Sequence, residues 1–484
     1  MTMSFDFDSA TRRNLGYQLI DRVDEFYSSL PERPVQLPAD RRTYGPLSNP
    51  LPEVGADPAQ ILEEVCREMV DKGFHVPSAN YFGLMNPTPA YMGFLGEALV
   101  AALNPQLATL ARSQLASKIE VETVRWIGER VGWKAEAFNG TFTSGGNEAN
   151  FSGMALALAS RFPDAIEEGV ASIGAQPVLY ASAEAHHSLD KSAGLLGIGR
   201  KALRRVPVKP NLQLDPEQLE QAIRNDLAAG RKPFCVVATA GTTNSGTVDD
   251  IPAIYELCQR HDLWLHVDGA YGGAVVFSDH HRDLVRGIEL SDSITIDPHK
   301  WLAMPYAAGV ILTRHPETLT RAFAVAAAYM PKAAGATLPD NSRISTQWTR
   351  RMNALKLWLT LRVHGRRAYE ELIDRQLQLA RSFADWVDSS EDFELAARPQ
   401  LPIVTFRIKA NGKLSASNGQ LAAAHAAIVD EVTRDGRRWI SETVANGSSV
   451  MRMMVISYLT TQQHLAALQS VLSAAAKLTP TLRD

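Results

Sequence analysis

The chain has 484 residues, 45% of them hydrophobic, a net charge of −4 and three cysteines. That length implies more than one domain, and the apolar content is ample for large cores. The mild negative charge gives no basis for nucleic-acid binding, the odd cysteine count fits a reducing compartment, and no apolar run reaches membrane-spanning length.

Met1 to Asp24 is polar and carries Asp6, Asp8 and Arg12, so no signal peptide is read there and a cytoplasmic location is expected. Leu15, Leu19, Val23 and Phe26 recur at helical spacing, as do Leu62, Val65 and Met69. Between them, Pro31 to Pro58 is rich in proline and reads as extended chain. From about Asn80 to Arg375, apolar strand-like runs alternate with helical ones, the pattern of an α/β region with a mostly parallel sheet covered by helices. From Gln376 onward a Leu- and Ala-rich helix, two strand-like stretches (Leu401 to Ile408, Val450 to Ser457) and a helix from Thr461 to Lys477 suggest a small α+β domain. The expected regions are thus an arm over 1–79, a large domain over 80–375 and a C-terminal domain over 376–484. No internal repeat or low-complexity stretch is present.

Several motifs fall at predicted strand ends. Thr143-Ser144-Gly145-Gly146-Asn147-Glu148-Ala149-Asn150 reads as a glycine turn opening a helix, where free N–H groups and the positive dipole end suit an anion. It matches neither GxGxxG nor a Walker pattern, which argues against dinucleotides and nucleoside triphosphates. His186 and His187 follow the strand-like Val178-Leu179-Tyr180, and an imidazole there can stack on a flat ring or bind a carboxylate. Thr239 to Thr247, with Thr243 inside, is a hydroxyl-rich run after the apolar strand Phe234 to Ala238. Asp268 closes the hydrophobic run Leu263 to Val267 and is followed by Gly269 and Ala270, an acid with space behind it. Finally, Ser293-Ile294-Thr295-Ile296-Asp297-Pro298-His299-Lys300-Trp301 delivers a lysine off the end of a buried strand. Such an amine can form a Schiff base with an aldehyde cofactor, and pyridoxal 5′-phosphate (PLP) uses lysine this way. An acid opposite the pyridine nitrogen would keep the ring protonated and able to accept electrons from Cα. A zinc reading of His186, His187, His266 and His299 ranks below this one, because their spacing matches no metal signature and Cys66, Cys235 and Cys258 lie elsewhere.

The ordered set TSGGNEAN, AEAHHSLDKSA, TAGTTNSGTVDD, HVDGAYGG and DPHKW resembles the group II PLP-dependent decarboxylases, the family of aromatic-L-amino-acid, histidine and glutamate decarboxylases, from about Tyr81 to the C-terminus. The resemblance implies the aspartate-aminotransferase-like fold (fold type I), a homodimer with an arm wrapped around the partner, and release of CO2 and an amine. It implies Lys300 as the Schiff-base lysine, Asp268 as the ring-nitrogen partner, His186 as the stacking histidine, and Gly145, Gly146 and Asn147 in the phosphate site. Thr243, Ala270, Asp297 and His299 match further cofactor contacts, although the family more often carries Asn at the Asp297 position. It also implies a mobile lid with a proton-donating tyrosine, matched here by Val325 to Ala336 with Tyr329. Loss of that tyrosine goes with aldehyde-forming variants, so its presence favours plain decarboxylation.

Substrate choice is left open by the residues. Tyr81 to Pro89, with Phe82 and Leu84, supplies aromatic and apolar surface and leans towards aromatic amino acids, whereas Gln106 suits an acidic substrate such as aspartate or glutamate. Two other readings stay in play: a PLP enzyme of another class, such as an aldehyde synthase or carbon–sulfur lyase, and a catalytically silent PLP-binding protein. No metal, nucleic acid or membrane partner is expected.

Overall fold

The computed structural model describes residues 5–41, 51–325, 339–409 and 417–478. Seven strands form one sheet: β1 (Asn139–Thr143), β2 (Pro177–Ser182), β3 (Leu203–Val206), β4 (Lys232–Thr239), β5 (Trp264–Asp268), β6 (Ser293–Ile296) and β7 (Gly309–Thr313). Their spatial order is β1-β7-β6-β5-β4-β2-β3. Neighbours from β6 to β3 run parallel, and β7 is antiparallel to both β1 and β6. The order reverses between β2 and β4, and helices connect the parallel strands, as crossovers in such a sheet require.

Alternation along the strands accounts for the layers. Val178, Tyr180, Val236 and Ala238 join the core on one face, while Leu179, Ala181, Cys235 and Val237 join the core on the other. Both faces are therefore buried, which is why these strands read as continuous apolar runs rather than as a polar–apolar alternation. The helix Gly146–Arg161 covers one face, and it is rich in Gly, Ala and Ser because it packs closely against the sheet. Fully burying each Val or Leu side chain contributes about 1.5–3 kcal/mol, so this double-sided sheet is the main store of stability.

A second sheet, antiparallel and ordered β10-β11-β9-β8, is built from β8 (Phe393–Leu395), β9 (Ile403–Ile408), β10 (Ser441–Ala445) and β11 (Ser448–Met454). It packs with the helices Asn418–Thr433 and Gln462–Lys477 around a separate core containing Phe383, Phe406 and Leu468. The helix Ala354–Ser389, kinked at Gly365 where φ is +73°, links the two sheets. Its Gln376 accepts from the Trp301 indole through Oε1 and donates to the Ile456 carbonyl at 2.7 Å. β8, β10 and the helix Asn418–Thr433 were not anticipated by the periodicity of the chain.

At the N-terminus, the helices Ser9–Ser29 and Pro58–Lys72 stand where the spacing predicts them. Neither has a buried residue, and Leu19, Ile20, Ile61, Val65 and Met69 are exposed. Arg22 Nη2 pairs with Glu63 Oε1 at 2.5 Å between them. Part of the proline-rich stretch, residues 42–50, lies outside the described residues. No helix among the described residues is long and apolar enough to cross a membrane.

Two interior histidines make stability depend on pH. Burial pushes His266 and His425 from the ordinary 6.5 down to about 4. On acidification the unfolded chain takes up protons first, so the stability these groups contribute is whole above pH 6.5 and is lost as the pH falls towards 4. The thermal midpoint should drop across that window, and His425→Gln should flatten the fall. A wild-type midpoint that stays level from pH 6.5 to 4.5 would contradict this.

Candidate active site

Five strands of the large sheet end on one edge, and each sends a motif residue to the same cavity. The turn after β1 contributes Gly145, Gly146 and Asn147; the loop after β2 contributes His186; the end of β4 and its loop contribute Thr239, Gly241 and Thr243; β5 contributes Asp268, Ala270 and Tyr271; the turn after β6 contributes Asp297, His299 and Lys300. Met85 and Asn150 complete the lining of a cavity of about 300 Å3. This is the C-terminal edge of the parallel strands, where ligands settle in open α/β sheets.

The turn after β1 is shaped by what a side chain would meet. Gly145 has φ +155°, and a Cβ on Gly146 would stand 2.5 Å from Asp297 Oδ2. Thr143 Oγ1 donates to the Gly145 carbonyl at 3.1 Å, and the amide and hydroxyl of Ser144 both donate to Glu148 Oε2 at 2.7 Å. The first amides of the helix Gly146–Arg161 are left pointing outward, as at any helix N-terminus. Glu148, also held by Thr346 and Gln347, keeps its charge outside the cradle.

Asp268 is 5% exposed. Its Oδ1 accepts the Ala270 amide at 3.1 Å and its Oδ2 accepts Asn150 Nδ2 at 2.8 Å. Lys300 Nζ is 3.1 Å from Asp297 Oδ2. His186 Nδ1 accepts the Ser188 amide at 3.1 Å, and burial pushes its pKa below the usual imidazole value, so the neutral ring carries its proton on Nε2. His299 is lowered by burial in the same way, and its Nδ1 accepts the Ala308 amide at 3.0 Å. The Tyr306 ring lies 4.8 Å from that of His299 and bonds Asn86, with its hydroxyl pushed up to about 12 by burial.

The residues fit PLP on their own geometry. Asp297 Oδ1 and Thr239 Oγ1 line the cavity, are buried and have no hydrogen-bond partner, so the lining awaits a polar ligand. A glycine turn for an anion, a carboxylate, a neutral imidazole and an amine within one small cavity are the groups that a phosphorylated, aldehyde-bearing pyridine requires.

The substrate-pocket residues expected from the sequence are not at this cavity. Phe82 is fully buried in the core of the second sheet, its backbone bonded to Trp439 and Met454, and Met85 lines the cavity instead. Leu84 is 43% exposed. Gln106 is exposed and bonds Thr349 and Arg112. Tyr329 and residues 326–338 lie outside the described residues. His266, one of the four histidines considered for zinc, is fully buried under the cavity, and no group of three or more His, Cys, Asp or Glu side chains is arranged to hold a metal among the described residues. Asn150 and Tyr271 gained no role from the sequence although both sit inside quoted motifs. Only the fold reveals that Asn150 faces Asp268, 118 positions away.

Comparison with known proteins agrees with this arrangement. Residues 44–409 match the pyridoxal-dependent decarboxylase conserved domain. An aromatic-L-amino-acid decarboxylase of Bacillus atrophaeus is 29% identical over 480 residues, covering 99% of this chain and 98% of the relative. A cysteine sulfinic acid decarboxylase of Homo sapiens is 33% identical over 357 residues, 73% of this chain and 71% of the relative. Among solved structures, Oryza sativa TDC with PLP and tryptamine superposes with a TM-score of 0.91 at 25% identity, covering 98% of this chain and 99% of that one. The chain therefore belongs to the group II PLP-dependent decarboxylases of fold type I, carboxy-lyases that act on amino acids with pyridoxal 5′-phosphate as cofactor.

Proposed function

We propose that this decarboxylase acts on an aromatic L-amino acid, releasing CO2 and the corresponding amine, with Lys300, Asp268, His186 and Tyr329 as its catalytic residues. The observation that carries the residue assignment is the convergence of Lys300, Asp268, His186 and the glycine turn on one 300 Å3 cavity. The aromatic preference is supported by Tyr306, whose ring lies 4.8 Å from that of the cavity-lining His299. A second reading, an acidic substrate, is favoured by one feature. Arg452 is 2% exposed, and its Nε and Nη2 have no hydrogen-bond partner, a buried cation suited to a second carboxylate or a sulfinate.

When bound, PLP supplies a sink for the electron pair left at Cα as CO2 departs. The chain's residues supply the rest. Gly145, Gly146 and Asn147 would hold the phosphate at the helix N-terminus, and Thr243 and Ala270 would complete the cofactor's site. Lys300 Nζ would be the covalent anchor for the aldehyde, with Asp297 Oδ2 3.1 Å away as its ion-pair partner. Asp268, 5% exposed, would pair with the ring nitrogen. His186, whose Nδ1 accepts the Ser188 amide, would offer its other ring nitrogen to the substrate carboxylate. His299 keeps the turn before Lys300 in place through the Ala308 amide. Tyr329, which lies outside the described residues, is assigned the proton delivered to Cα.

The same proposal extends to the assembly. The exposed apolar residues of the two N-terminal helices are suited to cover a partner subunit, making a homodimer with an arm over 1–79, a large domain over 80–375 and a small one over 376–484. Cys66, Cys235 and Cys258 are all free thiols, which supports a reducing, cytoplasmic setting.

Three outcomes test these assignments. Across a panel of common L-amino acids, L-dopa and cysteine sulfinate, equimolar CO2 and amine should appear from an aromatic substrate; turnover confined to cysteine sulfinate, aspartate or glutamate would replace the aromatic reading with the acidic one. Gly146→Ala should weaken PLP binding, followed by fluorescence titration, by about tenfold or more, since the new Cβ meets Asp297; unchanged affinity would move the phosphate elsewhere. Tyr329→Phe should leave PLP binding intact and replace much of the amine with aldehyde, and undiminished amine yield would remove Tyr329 from the mechanism.

A further inference from the structure

We infer that Trp264, Ser293, His266 and Asn150 form a one-way chain of hydrogen bonds that ends on Asp268 and acts as a positioning device, holding that carboxylate aimed into the cavity. This rests on the reading of Asp268 as partner of the ring nitrogen.

The direction of each bond follows from chemistry. The Trp264 indole can only donate, and its Nε1 is 2.9 Å from Ser293 Oγ. The Ser293 hydroxyl is thereby an acceptor on that side, and its own proton points to His266 Nδ1 at 2.8 Å. His266 is fully buried, and burial pushes it down to about 4, so the ring is neutral with one proton to place. With Nδ1 accepting, that proton is on Nε2, 3.1 Å from Asn150 Oδ1. The Asn150 amide is then oriented with Nδ2 towards Asp268 Oδ2 at 2.8 Å and Ser188 Oγ at 3.2 Å. Thr295 Oγ1 lies 3.3 Å from the same His266 nitrogen and accepts a share of its proton.

Every member is at most 5% exposed, so water cannot replace a reversed bond. Turning any one of them would set two donors or two acceptors face to face in a dry interior, which is costly. Bonds aligned in one direction also polarise one another, which strengthens the last of them, from Asn150 to Asp268. The helix above makes room for this arrangement: a Cβ on Gly153 would stand 2.3 Å from His266 Cε1. Glycine inside a helix is unfavourable relative to Ala, a cost consistent with seating the ring. The titratable groups that share the site with Asp268 are His186 from the β2 loop, His266 from its own strand, Tyr271 from the turn after β5, and Asp297, His299 and Lys300 from the turn after β6.

Ser293→Ala tests the chain from a point that does not line the cavity. Without the hydroxyl, His266 is free to carry its proton on Nδ1, Asn150 loses its fixed direction, and Asp268 loses a donor. In the PLP-loaded enzyme, kcat should fall roughly tenfold with KM within about twofold, as for one lost bond to a charged group. The pH midpoint of the cofactor's visible absorbance should also rise, because a ring nitrogen that gives up its proton withdraws fewer electrons from the linkage to Lys300. The PLP dissociation constant should hardly move, whereas the thermal midpoint should fall, because the buried Trp264 indole loses its acceptor. An unmoved absorbance midpoint, with or without lost stability, would reduce these residues to packing and overturn the inference. Asp268→Asn, measured alongside, separates the two levels: if it too leaves the midpoint unmoved, the reading of Asp268 itself fails, whereas a shift there and none in Ser293→Ala defeats the chain alone. Should Ser293→Ala not fold, Trp264→Phe frees the same hydroxyl and should shift the midpoint in the same direction by less; no shift overturns the inference equally.

Discussion

A carboxylate placed at the end of a central strand, away from water, persists as an anion only if donors meet its oxygens, and Asp268 imposes that constraint on the whole cavity. Its two oxygens are met by the Ala270 amide and by Asn150, one from its own turn and one from the helix after β1. The sheet order puts β5 between β4 and β6, so the acid stands between the hydroxyl-rich loop and the lysine turn. Moving any of these elements would leave either the anion or an orphaned donor buried. The close approach of the helix Gly146–Arg161, with glycines at 146 and 153 where side chains would strike Asp297 and His266, follows from the same requirement.

The large sheet supplies the rigidity that this arrangement needs. Its strands are buried on both faces, so their ends cannot shift without disturbing two cores at once. Buried ion pairs stiffen the periphery: Arg350 meets both carboxylate oxygens of Glu120 at 2.7 Å, and Lys356 bonds Glu97 together with the carbonyls of Pro305 and Ala307 in the turn that follows Lys300. The second sheet is tied to the lysine turn through Trp301 and Gln376. The turn that carries Lys300 is thus held from both sides of the molecule.

Much of the site was legible because its chemistry is local. Each of TSGGNEAN, HVDGAYGG and DPHKW joins a strand end to a turn, so one short stretch carries both the structural signal and the functional group. The parallel sheet was legible chiefly from β2 and β4, which are apolar along most of their length. What escaped depends on contacts between distant segments. Phe82 looked like pocket surface, yet its backbone bonds to Trp439 and Met454, distant in sequence, carry it into the second core and leave Met85 for the cavity. Gln106 lies away from the cavity within this chain, and nothing in its neighbours signals where the helices before and after it cross. β8 and β10 are short, half-exposed edge strands whose pairing partners, not their composition, define them. Asn150 and His266 carry no motif for their pairing, since a helix residue and a strand residue meet only after the fold brings them together.

The central claim is that the lysine at the end of β6 is the cofactor's covalent anchor. Loading the protein with PLP, reducing it with borohydride and locating the phosphopyridoxyl group by peptide mass spectrometry tests this directly. The label is predicted on Lys300, in the peptide that carries Asp297 and Trp301. A label on another lysine, or none in protein that demonstrably holds PLP, would contradict the account.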